Sequence, residues 1–148
     1  MSDRTGFFWD VMEGRKPAPP AAALLGFRLL EVDTEQATIR IEFRAKQEFT
    51  NPMGFVQGGF VAAMLDETLG PALVATLPPD QFAPTIELKT NFVRPAKVGV
   101  LVGSGRVVAR TRELAFLAGE LHDEAGKLIA TATATARIQT NPRSAPGT

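Results

Sequence analysis

Hydrophobic positions recur along this chain at two periods, and the switches between them mark its elements. QATIRIEFRA sets Ile39, Ile41 and Phe43 against Arg40, Glu42 and Arg44, the alternation of a strand with one wet face. LLGFRLLEVD, just before it, is its hairpin partner. Further on, TIELKTNFV alternates again, VGVLVGSGRVVAR is rich in valine, and LAFLAGELHD reaches the turn-like DEAGK before LIATATATARI. That last run alternates Ala with β-branched Thr, and its period of two selects a strand over the helix that Ala alone would favour. Between the two sets of strands, over roughly residues 58–76, Phe60, Val61, Met64, Leu65, Leu69 and Leu73 spread around most of a helical circumference. A helix apolar nearly all round is a buried one. Pro71 cannot donate to the Glu67 carbonyl, which predicts a kink or a loosened last turn, and LPPD at 77–80 ends the helix. Near the N-terminus Phe7, Phe8, Val11 and Met12 repeat at helical spacing up to Gly14, with prolines following at 17, 19 and 20. This reads as a short helix that covers the core or forms a lid.

Two strands, one long buried helix and four further strands describe an α+β domain in which a curled antiparallel sheet packs over a single helix. The expected partition is an N-terminal helix and linker over 1–21, the domain over 22–138 and a flexible tail over 139–148, where NPRSAPGT offers little apolar surface to order it. An open edge strand in so small a domain invites a second copy. A homodimer is therefore expected, or a homotetramer built as a dimer of dimers.

Composition narrows the chemistry. The 148 residues suit one domain, and sixteen basic against sixteen acidic side chains leave no general field toward a nucleic-acid backbone or an anionic membrane. Neither partner is expected. The absence of cysteine excludes disulfides, thiolate metal sites and cysteine nucleophiles, and the single histidine, His122, cannot build a histidine metal cluster. His122 reads as a surface strand-end residue beside the DEAGK turn. No apolar run reaches the length of a membrane span or a signal peptide, so the expected compartment is the cytoplasm. Chemistry must run on carboxylates, hydroxyls, amides and backbone groups.

GFVQGGFVAAMLDETLG, residues 54–70, offers such groups. The first turn of a helix has amides without intrahelical partners and carries about half a positive charge. Gly58 and Gly59 put no side chain in the way of a carbonyl approaching those amides. Asp66 lies seven residues beyond Gly59, nearly two turns and about 10 Å along the axis. It cannot reach a carbonyl held by its own helix start, but across a dimer seam one subunit's carboxylate can meet a carbonyl held by the other. Glu67 is a competing acid, turned away by a step of about 100°. Taken alone, paired glycines also serve close packing and a helical aspartate also serves as a solvated charge. VGSGR contains G-x-G but lacks the third spaced glycine of a dinucleotide site, and strand-packing glycines account for it.

The stretch NPMGFVQGGFVAAMLDETLG resembles the signature of hotdog-fold acyl-CoA thioesterases, in the branch typified by the phenylacetic-acid-degradation (PaaI-like) thioesterase. Members show an asparagine, a short spacer, His-Gly-Gly or a variant, then an aspartate on the helix. The resemblance continues through TIELKTNFVRPAKVG and DEAGKLIATATATARI and covers roughly residues 22–138. It implies hydrolysis of a medium-chain or aromatic acyl-CoA, with the CoA thioester as substrate and neither a metal nor a redox cofactor. By position it assigns the carbonyl-polarising amide to Gly59, with Gly58 beside it on the substrate, and the base or nucleophile to Asp66. Asn51 matches the residue that orients the loop and the acid, although Asn-Pro also initiates turns. Thr85 matches a hydroxyl near the attacking water, although threonine also suits a strand. Gln57 departs from the commoner histidine. Its amide can hold a carbonyl but does not titrate near neutral pH, which throws the chemistry onto Asp66 and weighs against a hydratase. Arg94 and Lys97, with Arg106, Arg110 and Arg112, are candidates for the CoA phosphates and equally readable as solvated strand charges. A non-catalytic acyl-CoA binder of the same fold is the alternative.

Overall fold

A computed structural model describes residues 3–141 of the chain. The alternating segments form strands. β1 (Arg28–Asp33) and β2 (Thr38–Ala45) pair as the expected antiparallel hairpin, with Ile39, Ile41 and Phe43 buried and Arg40 and Arg44 exposed. The long helix, preceded by the short helices α1 (Phe7–Met12) and α2 (Pro20–Leu24), is α3 (Gly58–Val74). After it come β3 (Gln81–Phe82), β4 (Thr85–Phe92), β5 (Gly99–Arg110), β6 (Leu114–Asp123), β7 (Leu128–Arg137) and β8 (Gln139–Thr140). Six strands form one curled antiparallel sheet in the order β1-β2-β5-β6-β7-β4, and β3 pairs with β8 in a separate ribbon. No helix among the described residues is long and apolar enough to cross a membrane.

α3 lies mainly across β5 and β6. Leu65, Leu69 and Leu73 are fully buried there, each worth about 1.5–3 kcal/mol against exposure. Glycines let the helix approach this closely: a Cβ at Gly103 would lie 2.2 Å from Thr68 Oγ1, and one at Gly119 would lie 2.7 Å from Leu69 Cδ2. The glycines of VGSGR are thus packing glycines. On β7 the alternation sends Ala130, Ala132, Ala134 and Ala136 into the core. The helix runs on through Pro71 to Val74, two residues short of the expected end. Tighter bonds then close it, from the Thr76 amide to the Leu73 carbonyl at 2.9 Å and from the Leu77 amide to the Val74 carbonyl at 3.1 Å.

The N-terminal helix is fastened to the end of α3. Trp9 Nε1 donates to the Ala75 carbonyl at 3.2 Å, and Phe8 sits edge-on to the indole with centroids 4.9 Å apart. Phe8 and Trp9 therefore belong to the same core as the strands, although residues 1–21 were set apart as helix and linker. α2 replaces part of the expected linker, because Pro20 occupies its first turn, where a fixed φ and a missing N–H cost nothing. The expected tail over 139–148 begins with β8; its residues 142–148 lie outside the described residues.

The two edges of the sheet differ. On β1, ion pairs run across to β2 from Arg28 to Glu42 at 2.6 Å and from Glu31 to Arg40 at 3.1 Å, and no large apolar side chain there is exposed. β4 leaves Ile86 58% and Phe92 59% exposed. The edge in want of a cover is β4.

Candidate active site

Two half-sites lie on α3, one about two turns along it and one at its start. At the first, Thr85, the opening residue of β4, donates its hydroxyl to Asp66 Oδ1 at 2.8 Å. One carboxylate oxygen is fixed and the other is left for a further partner. Asp66 lines a cavity of about 330 Å³ walled by α3, the start of β4 and the N-terminal helices, which contribute Phe7, Val11 and Met12. No basic side chain among the described residues lines it. Glu67, expected to face elsewhere, lines the same cavity. One turn on, Gly70 and Pro71 add no long side chain to divide the space, so it spans the whole arc between the two acids. Burial pushes the Glu67 carboxyl up from its ordinary value of 4.5, and the charge of Asp66 adds to the rise.

At the second half-site the start of α3 is uncapped. Gln57 holds the N-cap position in an extended conformation and makes no side-chain cap bond. Its carbonyl accepts from the Phe60 and Val61 amides at 2.9 and 3.3 Å, while the Gly58 and Gly59 amides donate to no acceptor among the described residues. The surroundings are tight. A Cβ at Gly59 would lie 2.7 Å from Gln57 Oε1, and one at Gly58 would lie 3.2 Å from the Phe92 ring. Asn51 shapes the loop leading in: its Oδ1 accepts from the Met53 and Phe55 amides at 3.0 and 3.2 Å, and Gly54 takes φ 83° in the turn. Further bonds from the Val56 amide to the Ala96 carbonyl at 2.9 Å and from the Gln57 amide to the Phe49 carbonyl at 2.8 Å aim the helix start.

Asn51, Gly58, Phe92 and Arg94 share a cavity of about 340 Å³. Arg94 and Lys97, joined by Lys127, line an adjoining cavity of about 450 Å³, and the Arg94 guanidinium also donates to the Leu128 carbonyl at 2.6 Å. Of the other basic candidates, Arg106 lines a groove on the sheet, and Arg110 ends β5 some 36 Å of strand from Gly99, with Arg112 in the turn beyond. These three do not join the site. His122 lies in β6 with Nε2 3.3 Å from Glu120 Oε2, away from both half-sites.

The structure therefore joins Asp66 to Thr85, and Asn51 to Gly58 and Arg94 with Gln57 and Gly59 alongside. It does not join the two groups: Gly58 and Asp66 are eight residues apart on one helix, about 12 Å. Sequence reasoning missed Phe92, which lies over Gly58, while α1, expected to cover the core or form a lid, both enters the core and walls the cavity beside Asp66. Phe92 ends an alternating run and could have been found as an apolar side chain on an edge strand.

A six-stranded curled antiparallel sheet on one long helix is the architecture of the hotdog thioesterases. The Thioesterase superfamily pattern matches residues 53–130, more than half of the chain. Human acyl-coenzyme A thioesterase 13 is 28% identical over 134 residues, covering 88% of this chain and 93% of that protein. Among solved structures, a phenylacetic acid degradation-related protein of Ralstonia eutropha JMP134 is 38% identical, covers 89% of this chain and 99% of its own, and superposes with a TM-score of 0.86. A Streptococcus mutans UA159 protein solved bound to acetyl-CoA shares the fold at a TM-score of 0.70, with 20% identity over 78% of this chain and 90% of its own. The chain belongs to the thioesterase superfamily, and its activity is thioester hydrolysis.

Proposed function

We propose that the protein hydrolyses a medium-chain or aromatic acyl-CoA to the free acid and CoA at a site shared by two copies of the chain. The observation that carries this reading is the pairing of Thr85 with Asp66 beside an apolar cavity, while the open glycine amides lie about two turns away at the start of α3 against Phe92. β4 touches both half-sites, Thr85 at its start and Phe92 at its end. If two β4 edges pair antiparallel about a centre near Leu88 and Lys89, Thr85 of one protomer lies opposite the same strand's far end in its partner. Asp66 of the first then faces the amides of the second.

In that site the Gly59 amide, with Gly58 beside it, polarises the thioester carbonyl. One such donor is commonly worth about 10²- to 10³-fold in rate. Asp66, with one oxygen held by Thr85, uses the other to draw a proton from water as it attacks the carbonyl carbon, or attacks that carbon itself to form an anhydride that water then opens. Either route breaks the C–S bond, and the thiolate leaves as CoA. Gln57 lies over Gly59 and offers its amide to the substrate carbonyl, Asn51 fixes the loop, and Arg94 and Lys97 meet the CoA phosphates. Water is the only other reactant, and no cofactor takes part.

Thiol release from a panel of acyl-CoAs tests the proposal. The wild type releases CoA, and Asp66→Asn lowers kcat by at least about 100-fold while still binding substrate. A wild type that binds acyl-CoA and frees no thiol across the panel would establish the non-catalytic binder instead.

A further inference from the structure

Glu67 has no evident structural duty. Its carboxyl makes no hydrogen bond or ion pair among the described residues, although its neighbour Asp66 is held by Thr85. It lines the cavity among Phe7, Met12, Phe27 and Val74, where the described residues supply no cation. A carboxyl in such surroundings costs free energy unless something hydrogen-bonds it, and a folding role would have given it a partner from the chain. Burial and the Asp66 charge push its carboxyl up from the ordinary value, and in either protonation state it can accept a hydrogen bond from a hydroxyl.

The cavity also names its occupant. It opens on Asp66, and its lining is mostly apolar with no basic side chain among the described residues, which suits the acyl group of the thioester and not the phosphates of CoA. At about 330 Å³ it lies at the small end of ligand pockets, a size that suits an acyl group and not a whole acyl-CoA. Asp66 and Glu67 are consecutive on α3, their side chains about 100° apart around it, and both line this one cavity, so a group that meets Glu67 belongs to the part of the acyl chain that enters beside Asp66.

We propose that the cavity walled by α1 is the acyl pocket and that Glu67 is its specificity-determining residue, hydrogen-bonding a hydroxyl at C2 or C3 of the acyl chain so that hydroxyacyl-CoA is preferred over the unsubstituted analogue. This rests on the reading of Asp66 as the group that serves the thioester carbonyl. A polar group built to meet a substrate hydroxyl discriminates because the analogue without it leaves that group buried and unpaired.

The experiment compares kcat/KM for 2-hydroxyoctanoyl-CoA and 3-hydroxyoctanoyl-CoA with that for octanoyl-CoA, in the wild type, Glu67→Leu and Glu67→Gln. The wild type prefers one hydroxylated substrate by at least about 10-fold. Glu67→Leu, of similar volume in an apolar wall, brings the ratio to about one or reverses it, and Glu67→Gln, which still hydrogen-bonds, keeps most of it. A wild-type ratio of one or less, or the same ratio in wild type and Glu67→Leu, overturns the proposal while leaving the role of Asp66 intact. Failure of the underlying reading looks different: Asp66→Asn would turn over all three substrates like the wild type, and both conclusions would fall together.

Discussion

Thr85→Val removes the hydroxyl that holds Asp66 and little else. Valine matches threonine in shape, retains its β-branching and suits the strand, so β4 and its pairing with β7 persist. What is lost is one hydrogen bond of 2.8 Å to a half-buried carboxylate. Hydrogen bonds to charged groups are worth about 1.5–3 kcal/mol, and at 1.36 kcal/mol per decade that is about 10- to 100-fold in rate if the whole interaction serves the transition state. The carboxylate is not sealed from water, so the lower end, about 10-fold, is expected. The loss should fall on kcat with KM nearly unchanged, because Thr85 orients the acid and does not itself bind CoA. Thr85→Ser, which restores the hydroxyl without the methyl, should recover most of the rate. Steady-state thiol release for the three proteins, with thermal melts to establish that all are folded, is the assay. Equal kcat in wild type and Thr85→Val, or equal losses in the Val and Ser variants, would refute the claim that the hydroxyl positions Asp66.

Two predictions concern stability. Gly119→Ala places a Cβ 2.5 Å from the Ser104 carbonyl oxygen and 2.7 Å from Leu69 Cδ2, so the β5–β6 pairing must distort and Leu69 must shift; a loss of about 1–3 kcal/mol in urea unfolding is expected, and an unchanged midpoint would contradict the packing described. Glu67→Gln should stabilise the fold at pH 7 but not near pH 4. The folded carboxyl is raised above its ordinary 4.5, so as pH climbs through that range the unfolded chain gives up its proton first and the wild type loses stability until the folded group also ionises. Melting temperatures of both proteins at the two pH values check the sign, and a difference that does not narrow toward acid would sink it.

Much of this fold is legible where an alternation has a buried face to serve. Ile39, Ile41 and Phe43 and the alanines of β7 mark their strands because a one-residue slip would turn each set to water. Gly103 and Gly105 were readable as packing glycines for the same reason, close contact leaving no room for a Cβ. α2, β3 and β8 were not legible: five residues led by a proline, or two residues in a ribbon, are too short to carry a period. In the candidate site, the open helix start was visible because Gln-Gly-Gly stands where a capping Ser, Thr or Asp would normally sit, at a cost of about 1 kcal/mol in helix stability. Thr85 was assigned only by resemblance, since a contact across nineteen residues leaves no trace in local spacing. Glu67 was misplaced because helical angle alone says where a side chain starts, and the width of the cavity decides what it reaches.

β4 links stability to chemistry. It is the edge that leaves Ile86 and Phe92 a little over half exposed, and burying the remainder of either would contribute about 1–2 kcal/mol. It is also the strand whose two ends touch the acid and the glycine amides, through Thr85 and Phe92. On the proposed pairing, the contact that protects the edge is the one that closes the distance between base and carbonyl, because the two halves are separated by about 12 Å within a chain and meet only between chains. An isolated protomer would keep its sheet, its helix and its Asp66–Thr85 bond and still lack a place where a thioester could be both polarised and attacked. Assembly would then be a condition of turnover, set by which edge of the sheet the sequence leaves apolar.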